Sequence, residues 1–387
     1  MLQGDNAQGK TNLLEAIYFL ATTKSPRTAN DAELIRWDAF AEGEPVSRLE
    51  AQVQRASGKL EVEIAMRGTQ GGAKEQEPGQ DLGPEEGTSF LAPHRPILVQ
   101  KRLRVNGVAR RAADFIGQVN VVLFSPEDIE LVGGSPALRR RYLDITYCQV
   151  DRTYLRALQR YGRVLLQRNH LLRQIREEPH RADELAIWDE QLVDLGLYLV
   201  QQRAKGLREL DDLSRMVHHR VTNGREDLRL VYLPSVGQNL GPWAEELEEA
   251  RNEFRRALAE YRGREIAQGM SLVGPHRDDL RFVVNGFDMG VYGSRGQQRT
   301  VALCLRLAEA QFVHQRKQDW PILLLDDILS ELDASRRRHV LEVAKQHQQV
   351  LITTTDLDRL TPDFLARATC LRILEGRLEP WSLDVLR

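Results

Sequence analysis

The sequence has 387 residues, with 54 lysines and arginines against 56 acids, a formal charge of -2. Its 42% hydrophobic content supplies a buried core and excludes wholesale disorder, while the length implies roughly two lobes or one domain with a large insertion. A near-neutral chain has a weak bulk field, so any contact with nucleic acid or membrane must come from local patches. No apolar run approaches the ~18 residues of a membrane span. The start, Met1 to Gly4, has neither a basic region nor an apolar signal core, so a cytoplasmic protein with no membrane partner is expected. Cys148, Cys304 and Cys370 are widely separated without metal-ligand spacing and read as reduced packing residues.

In chain order, a glycine-bounded loop at residues 4–11 runs into a helical pattern of Leu13, Leu14, Ile17 and Leu20. Residues 48–112 read as strands: Leu49, Ala51 and Val53 alternate, as do Val62, Ile64 and Met66, and Leu103 and Val105 precede an Asn106-Gly107 hairpin turn. Within that block, residues 68–95 are rich in Gly, Pro and Glu and read as a solvated, mobile loop. From about 139 to 265 the pattern is helical. Leu158, Tyr161, Leu165 and Leu172 share one face, and Leu185, Trp188, Leu192, Leu195 and Leu199 form a heptad-like stripe beyond a break at Pro179. An antiparallel helical hairpin packed within the chain is expected, with a dimerising coiled coil as the other reading. A strand through Leu228, Leu230 and Tyr232 follows, then helical spacing at Leu247, Phe254, Leu258 and Tyr261. The last block alternates strand and helix: Leu280 to Val284 before Asn285-Gly286, a helix from Val301 to Phe312, and continuous apolar runs at Ile322–Leu325 and Val350–Ile352.

Three stretches carry chemistry. Gly4-Asp5-Asn6-Ala7-Gln8-Gly9-Lys10-Thr11 fits the phosphate-loop pattern at every fixed position and opens a helix. In that reading the loop's N–H groups wrap phosphate oxygens, Lys10 reaches the β/γ-phosphates of ATP and the Thr11 hydroxyl ligates Mg²⁺. An ordinary glycine turn is the competing reading. Asp326 and Asp327 end the apolar run Ile322–Leu325. Two acids there are costly unless paired or metal-bound, so Asp326 is assigned to the Mg²⁺ shell and Asp327 to the attacking water as the catalytic residue; a solvated strand end is the plain alternative. Gly293-Ser294-Arg295-Gly296-Gln297-Gln298 opens another helix before that pair, and Ser330-Glu331-Leu332-Asp333 follows it. This order resembles the head domains of ABC-type ATPases, where the second helix start closes a partner's nucleotide. The expected fold is therefore α/β: an ABC-type ATPase head with an inserted helical lobe. Residues 1–138 and 266–387 would build the ATPase lobe and residues 139–265 the insertion.

Further stretches narrow the resemblance to the RecF family of bacterial DNA repair and recombination proteins. They are Gly4 to Ile17, Phe124 to Asp128, Gly134 to Pro136, Arg139 to Asp144, Gln167 to Asn169, Gly274 to Leu280, Gly293 to Thr300 and Leu323 to Asp333. The resemblance implies an SMC-like head that binds ATP with Mg²⁺, forms a homodimer with ATP and binds single-stranded and gapped double-stranded DNA. It also implies weak, DNA-stimulated ATP hydrolysis, work with RecR and RecO to place RecA, and links to replication restart and the SOS response. Ser294, Gly296 and Gln297 would cap the partner's ATP.

Three departures from that pattern stand out. Only three residues precede Gly4, so the N-terminal strand leading into the loop is expected to be missing, as from a displaced start or a truncation, and the loop loosened. The metal-sensing turn reads Phe124-Ser125-Pro126 in place of a glutamine, and Thr353-Thr354-Thr355-Asp356 lacks the class's switch histidine. Slow hydrolysis is expected. A non-cycling scaffold that binds DNA or RecR is the alternative, and a transporter's nucleotide-binding subunit the third reading. For DNA contact, Arg139-Arg140-Arg141 is the main basic cluster, beside Lys101-Arg102, Arg104 and Arg110-Arg111; solvated or internally paired faces compete. His276-Arg277-Asp278-Asp279 reads as a structural salt-bridge corner before a metal or acid–base site.

Overall fold

The computed structural model describes residues 1–41, 43, 45–55, 58–70, 97–236, 247–355 and 362–381. In chain order its strands are β1 (Leu2–Gln3), β2 (Val46–Arg55), β3 (Gly58–Gln70), β4 (Ile97–Val105), β5 (Val108–Arg110), β6 (Val121–Phe124), β7 (Leu228–Leu233), β8 (Asp279–Val284), β9 (Phe287–Asp288), β10 (Ile322–Leu325), β11 (Val350–Thr354), β12 (Leu371–Leu374) and β13 (Arg377–Pro380). The chain divides into two compact units, residues 15–115 and residues 1–14 with 116–387. The helices expected as an insertion thus lie within the larger unit. The expected boundaries at 138/139 and 265/266 do not coincide with those of the units.

The larger unit is organised by a sheet in the order β13-β12-β1-β11-β10-β6, parallel except for the β12–β13 hairpin. Strand β10 is covered on both faces, as its unbroken apolar run requires. The helix Arg295–Lys317 supplies Leu303, Cys304 and Leu307, and the helix Ala334–Ala344 supplies Val340 and Leu341, to one core with Val122, Leu323 and Ile352. The former starts at a capping box between Ser294 and Gln297 and ends with a basic last turn at Gln318, whose φ is 57°. The expected helical hairpin is Arg152–Glu177 against Leu185–Val221, broken at Pro179, with Leu247–Gln268 packed beside it.

The strand expected to be missing is present as β1, two residues long. Leu2 pairs with Thr353 on one side and Leu371 on the other. β12 and β13 went unread as well, and so did β6, although Val121–Phe124 is an unbroken apolar run like that of β10.

The smaller unit is an antiparallel sheet in the order β2-β3-β4-β5. Val62, Ile64 and Met66 alternate inward, and Asn106 and Gly107, with φ of 50° and 75°, make the expected turn. Of the loop expected over 68–95, residues 68–70 instead continue β3 and pair with β4; the rest of that stretch lies outside the described residues.

Candidate functional site

The phosphate loop leaves the sheet at Gln3 and enters the helix Lys10–Thr22. Its shape explains its glycines. A Cβ on Gly4 would stand 2.5 Å from the Ile373 carbonyl oxygen, and Gly9 has φ +99°. Both positions exclude a side chain on physical grounds. The loop is also tied to the β12–β13 turn: the Glu375 amide donates to Gln8 Oε1 at 2.7 Å and the Gly376 amide to the Gln8 carbonyl at 3.0 Å. Nothing in the sequence reading singled out that Glu375-Gly376 turn. Asp5, Asn6 and Ala7 are exposed. Lys10 is buried, and its amine curls over the loop to donate to the Gly4 and Asp5 carbonyls at 2.5 and 2.9 Å.

The acidic pair arrives at the same place from the far end of the chain. The Asp326 amide donates to the Phe124 carbonyl at 2.8 Å, which continues the β10–β6 pairing and puts Ser125 beside the pair at the carboxyl ends of the strands. Thr11 Oγ1 donates to Asp326 Oδ1 at 3.1 Å. No lysine or arginine reaches Asp326 among the described residues, although it is only 7% exposed. A buried carboxylate held only by hydroxyls, with a threonine oxygen adjoining, is the hard oxygen set that suits Mg²⁺.

Asp327 has the left-handed backbone φ 47°, ψ 18°, a costly conformation for a residue with a Cβ. It is held there by its amide, which donates to Thr353 Oγ1 at 2.8 Å, and by Ser330 Oγ on its carbonyl at 2.7 Å. Thr353 Oγ1 in turn donates to Asp326 Oδ1 at 2.7 Å. One fully buried hydroxyl therefore fixes both acids. The sequence reading noticed Thr353 only as the place where a histidine is absent. Of that stretch, Asp356 lies outside the described residues.

Ser294, Gly296 and Gln297 are not brought to the phosphate loop of their own chain by any hydrogen bond among the described residues. Ser294 and Gln297 cap their helix reciprocally, at 3.0 and 3.3 Å, and Gly296 is exposed. From the same helix start, Arg299 pairs with Glu331 at 2.6 Å, linking it to the turn that follows the acidic pair. That link was not legible in the sequence.

The main DNA candidates need correction. Arg139 is buried in a two-pronged pair with Asp279, at 2.8 and 3.1 Å, and also donates to the Gly134 carbonyl. Arg140 donates to the Asp278 carbonyl at 2.7 Å, and Arg141 is half-buried. Arg139 and Arg140 are turned inward because Asp278 and Asp279 lie beneath them. In the smaller unit Lys101 pairs with Asp31 at 2.7 Å and Arg104 with Glu63 at 3.6 Å; Arg102, Arg110 and Arg111 are exposed.

The Gly274–Leu280 stretch is a salt-bridge corner, as expected. Asp278 accepts from Arg203, Tyr232 and the Ser235 amide, and burial pushes its carboxyl up against the pull of Arg203. His276 Nε2 faces the Ser271 carbonyl at 3.0 Å and Nδ1 faces the Tyr161 hydroxyl at 2.6 Å. The neutral Nε2–H tautomer satisfies both, and burial lowers the imidazole to about 4. The Gln167–Asn169 stretch is also structural at Arg168, which bonds Asp189, Ser271 and Glu265, each at 2.7 Å. The three cysteines are buried and unpaired.

With this geometry in view, the comparisons are specific. The RecF/RecN/SMC N-terminal domain model matches residues 1–362. The DNA replication and repair protein RecF of Chloroflexus aggregans is 43% identical over 385 residues, covering 98% of this chain and 93% of its own length. The RecF of Halalkalibacterium halodurans is 39% identical, covering 97% and 91%. A solved structure of the recombination mediator protein RecF-ATPrS of the RecFOR pathway superposes with a TM-score of 0.81 at 30% identity, covering 98% of this chain and 91% of that one. The corresponding RecF-ATP structure gives the same values.

Proposed function

This chain belongs to the RecF family, and from that premise we propose that it is an ATP-gated DNA-binding protein of recombinational repair. It binds ATP and Mg²⁺ at Gly4–Thr11 with Asp326, dimerises on ATP, and engages single-stranded and gapped double-stranded DNA. In that role it assists RecA loading with RecR and RecO, serves replication restart and the SOS response, and works in the cytoplasm. The observation that carries the reading is the contact between Thr11 and Asp326, which joins two motifs 315 residues apart into one site.

The residues divide the work. The loop amides and Lys10 hold the phosphates; Thr11 and Asp326 would hold Mg²⁺, which screens phosphate charge when bound. Asp327, locked by Thr353, orients the attacking water or takes its proton. With no histidine at the Thr353–Thr355 switch and Ser125 in place of a glutamine, hydrolysis is slow. The exposed start of the helix Arg295–Lys317 supports its use in trans, on a second copy's ATP. Val291 and Tyr292, 70% and 72% exposed just before Ser294, are the kind of apolar surface a second copy covers. The two-residue β1 supports this reading over the alternative of a non-cycling scaffold that binds DNA or RecR.

Light scattering with ATP·Mg²⁺, with ADP and without nucleotide tests the proposal. A dimer only with ATP is expected. A monomer in all three would overturn it.

A further inference from the structure

The helix Arg152–Glu177 carries seven arginines and a single acid, Glu177. Arg152, Arg156, Arg160 and Arg163 follow one another at spacings of four, four and three, which places them on one face. All four are exposed.

The acids on the neighbouring helix have ion-pair partners other than Arg160 and Arg163. Asp189 serves Arg168 and Arg262, Glu190 serves Arg255, and Asp194 serves Arg251. Arg251, Arg255 and Arg262 lie on the helix Leu247–Gln268, and Arg168 is buried on another side of its own helix. Arg160 and Arg163 have no acidic side chain within ion-pair reach among the described residues.

Between the two helices, at this end of the stripe, lies an open cleft of about 390 Å³. Arg160 and Arg163 line it together with Leu166, Gln167, Trp188 and Gln191. Leu166 is 68% exposed, as is Ile187 next to Trp188. The cleft thus combines an indole and aliphatic wall, two amide side chains that both donate and accept, and two unneutralised guanidinium groups at its edge. A flat apolar ring with hydrogen-bonding edges, attached to an anionic backbone, satisfies all three at once. A duplex keeps its bases stacked inside and would leave the apolar wall unused.

We infer that this cleft is a binding site for single-stranded nucleic acid, taking one unstacked base against Trp188 and Leu166 while Arg160 and Arg163 hold the flanking phosphates. The inference deepens the DNA-binding reading above and rests on it. Sites of this kind combine stacking, which tolerates sequence, with salt-dependent backbone contacts. Gln167 and Gln191 add hydrogen bonds to base edges. Gln167 sits beside Arg168 yet points to a different use: Arg168 is buried in the lobe's ion-pair hub and Gln167 is exposed at the cleft.

The test uses the full chain and three fluorescein-labelled probes: an oligothymidylate, the same oligomer with abasic sugars, and a blunt duplex. The wild type is expected to prefer oligothymidylate to the abasic strand at least fivefold. Arg160→Glu with Arg163→Glu, both surface changes, should weaken oligothymidylate binding at least tenfold. A variant with Arg160→Gln and Arg163→Gln should lower the salt slope by about 1.4, the value for two phosphates on a single strand. Trp188→Leu should abolish the preference for bases, with ATP binding at the phosphate loop unchanged as the control for folding. Unchanged oligothymidylate affinity in the double Glu variant overturns the inference. So does a wild type indifferent to bases. A wild type that binds none of the three probes, yet dimerises with ATP, overturns the DNA-binding reading itself. If an acidic peptide alternating Asp with Leu binds the cleft and the oligothymidylate does not, the site belongs to a protein partner and the nucleic-acid assignment falls.

Discussion

Replacing Thr353 by Val keeps the shape of the side chain and deletes its hydroxyl. Two bonds go at once: donation to Asp326 Oδ1 at 2.7 Å and acceptance from the Asp327 amide at 2.8 Å. A hydrogen bond to a charged acceptor contributes about 1.5–3 kcal/mol, and a polar group left without a partner in a buried site costs about 1–3 kcal/mol. The combined perturbation is therefore about 2.5–6 kcal/mol, part of it lost from stability and part released by allowing both acids to shift. A domain stable by roughly 5–15 kcal/mol survives that loss, with a lower urea midpoint. The phosphate grip of Lys10 is untouched, so nucleotide affinity, read by titration with a fluorescent ATP analogue, should fall less than about fivefold. Steady-state hydrolysis should fall at least tenfold, because Asp327 loses the contact that fixes its left-handed backbone. Thr353→Ser, which keeps the hydroxyl, should restore most of both. A Val variant with wild-type turnover and an unchanged urea midpoint would refute the idea that one hydroxyl positions the acidic pair.

Other expectations follow from the same geometry. Lys10→Ala removes the buried amine and should weaken ATP binding at least a hundredfold by the same titration; unchanged affinity would sink the nucleotide reading. Asp327→Asn should hold an ATP-bound dimer that persists in light scattering after free ATP is removed, while the wild type relaxes to monomer. Arg139→Ala strands Asp279 and should cost about 2–3 kcal/mol in urea unfolding, with DNA affinity of the folded protein unchanged; a selective loss of DNA binding would return that arginine to the interface. His276 is lowered to about 4 in the folded protein, against about 6.5 unfolded. Below pH 6.5 the unfolded chain binds the extra proton first, so stability falls as pH drops from about 6.5 to about 4, by up to about 3 kcal/mol. His276→Gln should flatten that part of the urea-midpoint profile.

The parts of the site readable in the sequence are those where chemistry fixes both residue type and spacing. Gly4, Gly9, Lys10 and Thr11 are set by the shape of a phosphate cradle, and Asp326 and Asp327 by the contradiction of two acids ending an apolar strand. What escaped notice depends on long-range pairing. Arg139 looks like a free cation until Asp279 is brought beneath it, and Thr353 looks like a missing histidine until its hydroxyl meets both acids. Strand β1 is too short for any periodicity, and Glu375-Gly376 acquires meaning only once Gln8 packs on it. The arginine face of the helix Arg152–Glu177 could have been counted from the sequence, but the cleft that Arg160 and Arg163 line with Trp188 could not.

The placement of β1 has a consequence for how the molecule is made. Leu2 lies between Thr353 and Leu371, so β1 finds its neighbours only once those far later segments have been made. Such pairing has high contact order and forms slowly. The arginine hub of the helical lobe closes among residues 168–271 and can fold well before that. The phosphate loop, which hangs from β1 and rests on the β12–β13 turn, is then the last part of the larger unit to take shape. Nascent or C-terminally clipped chains would display an ordered helical arm while remaining blind to ATP.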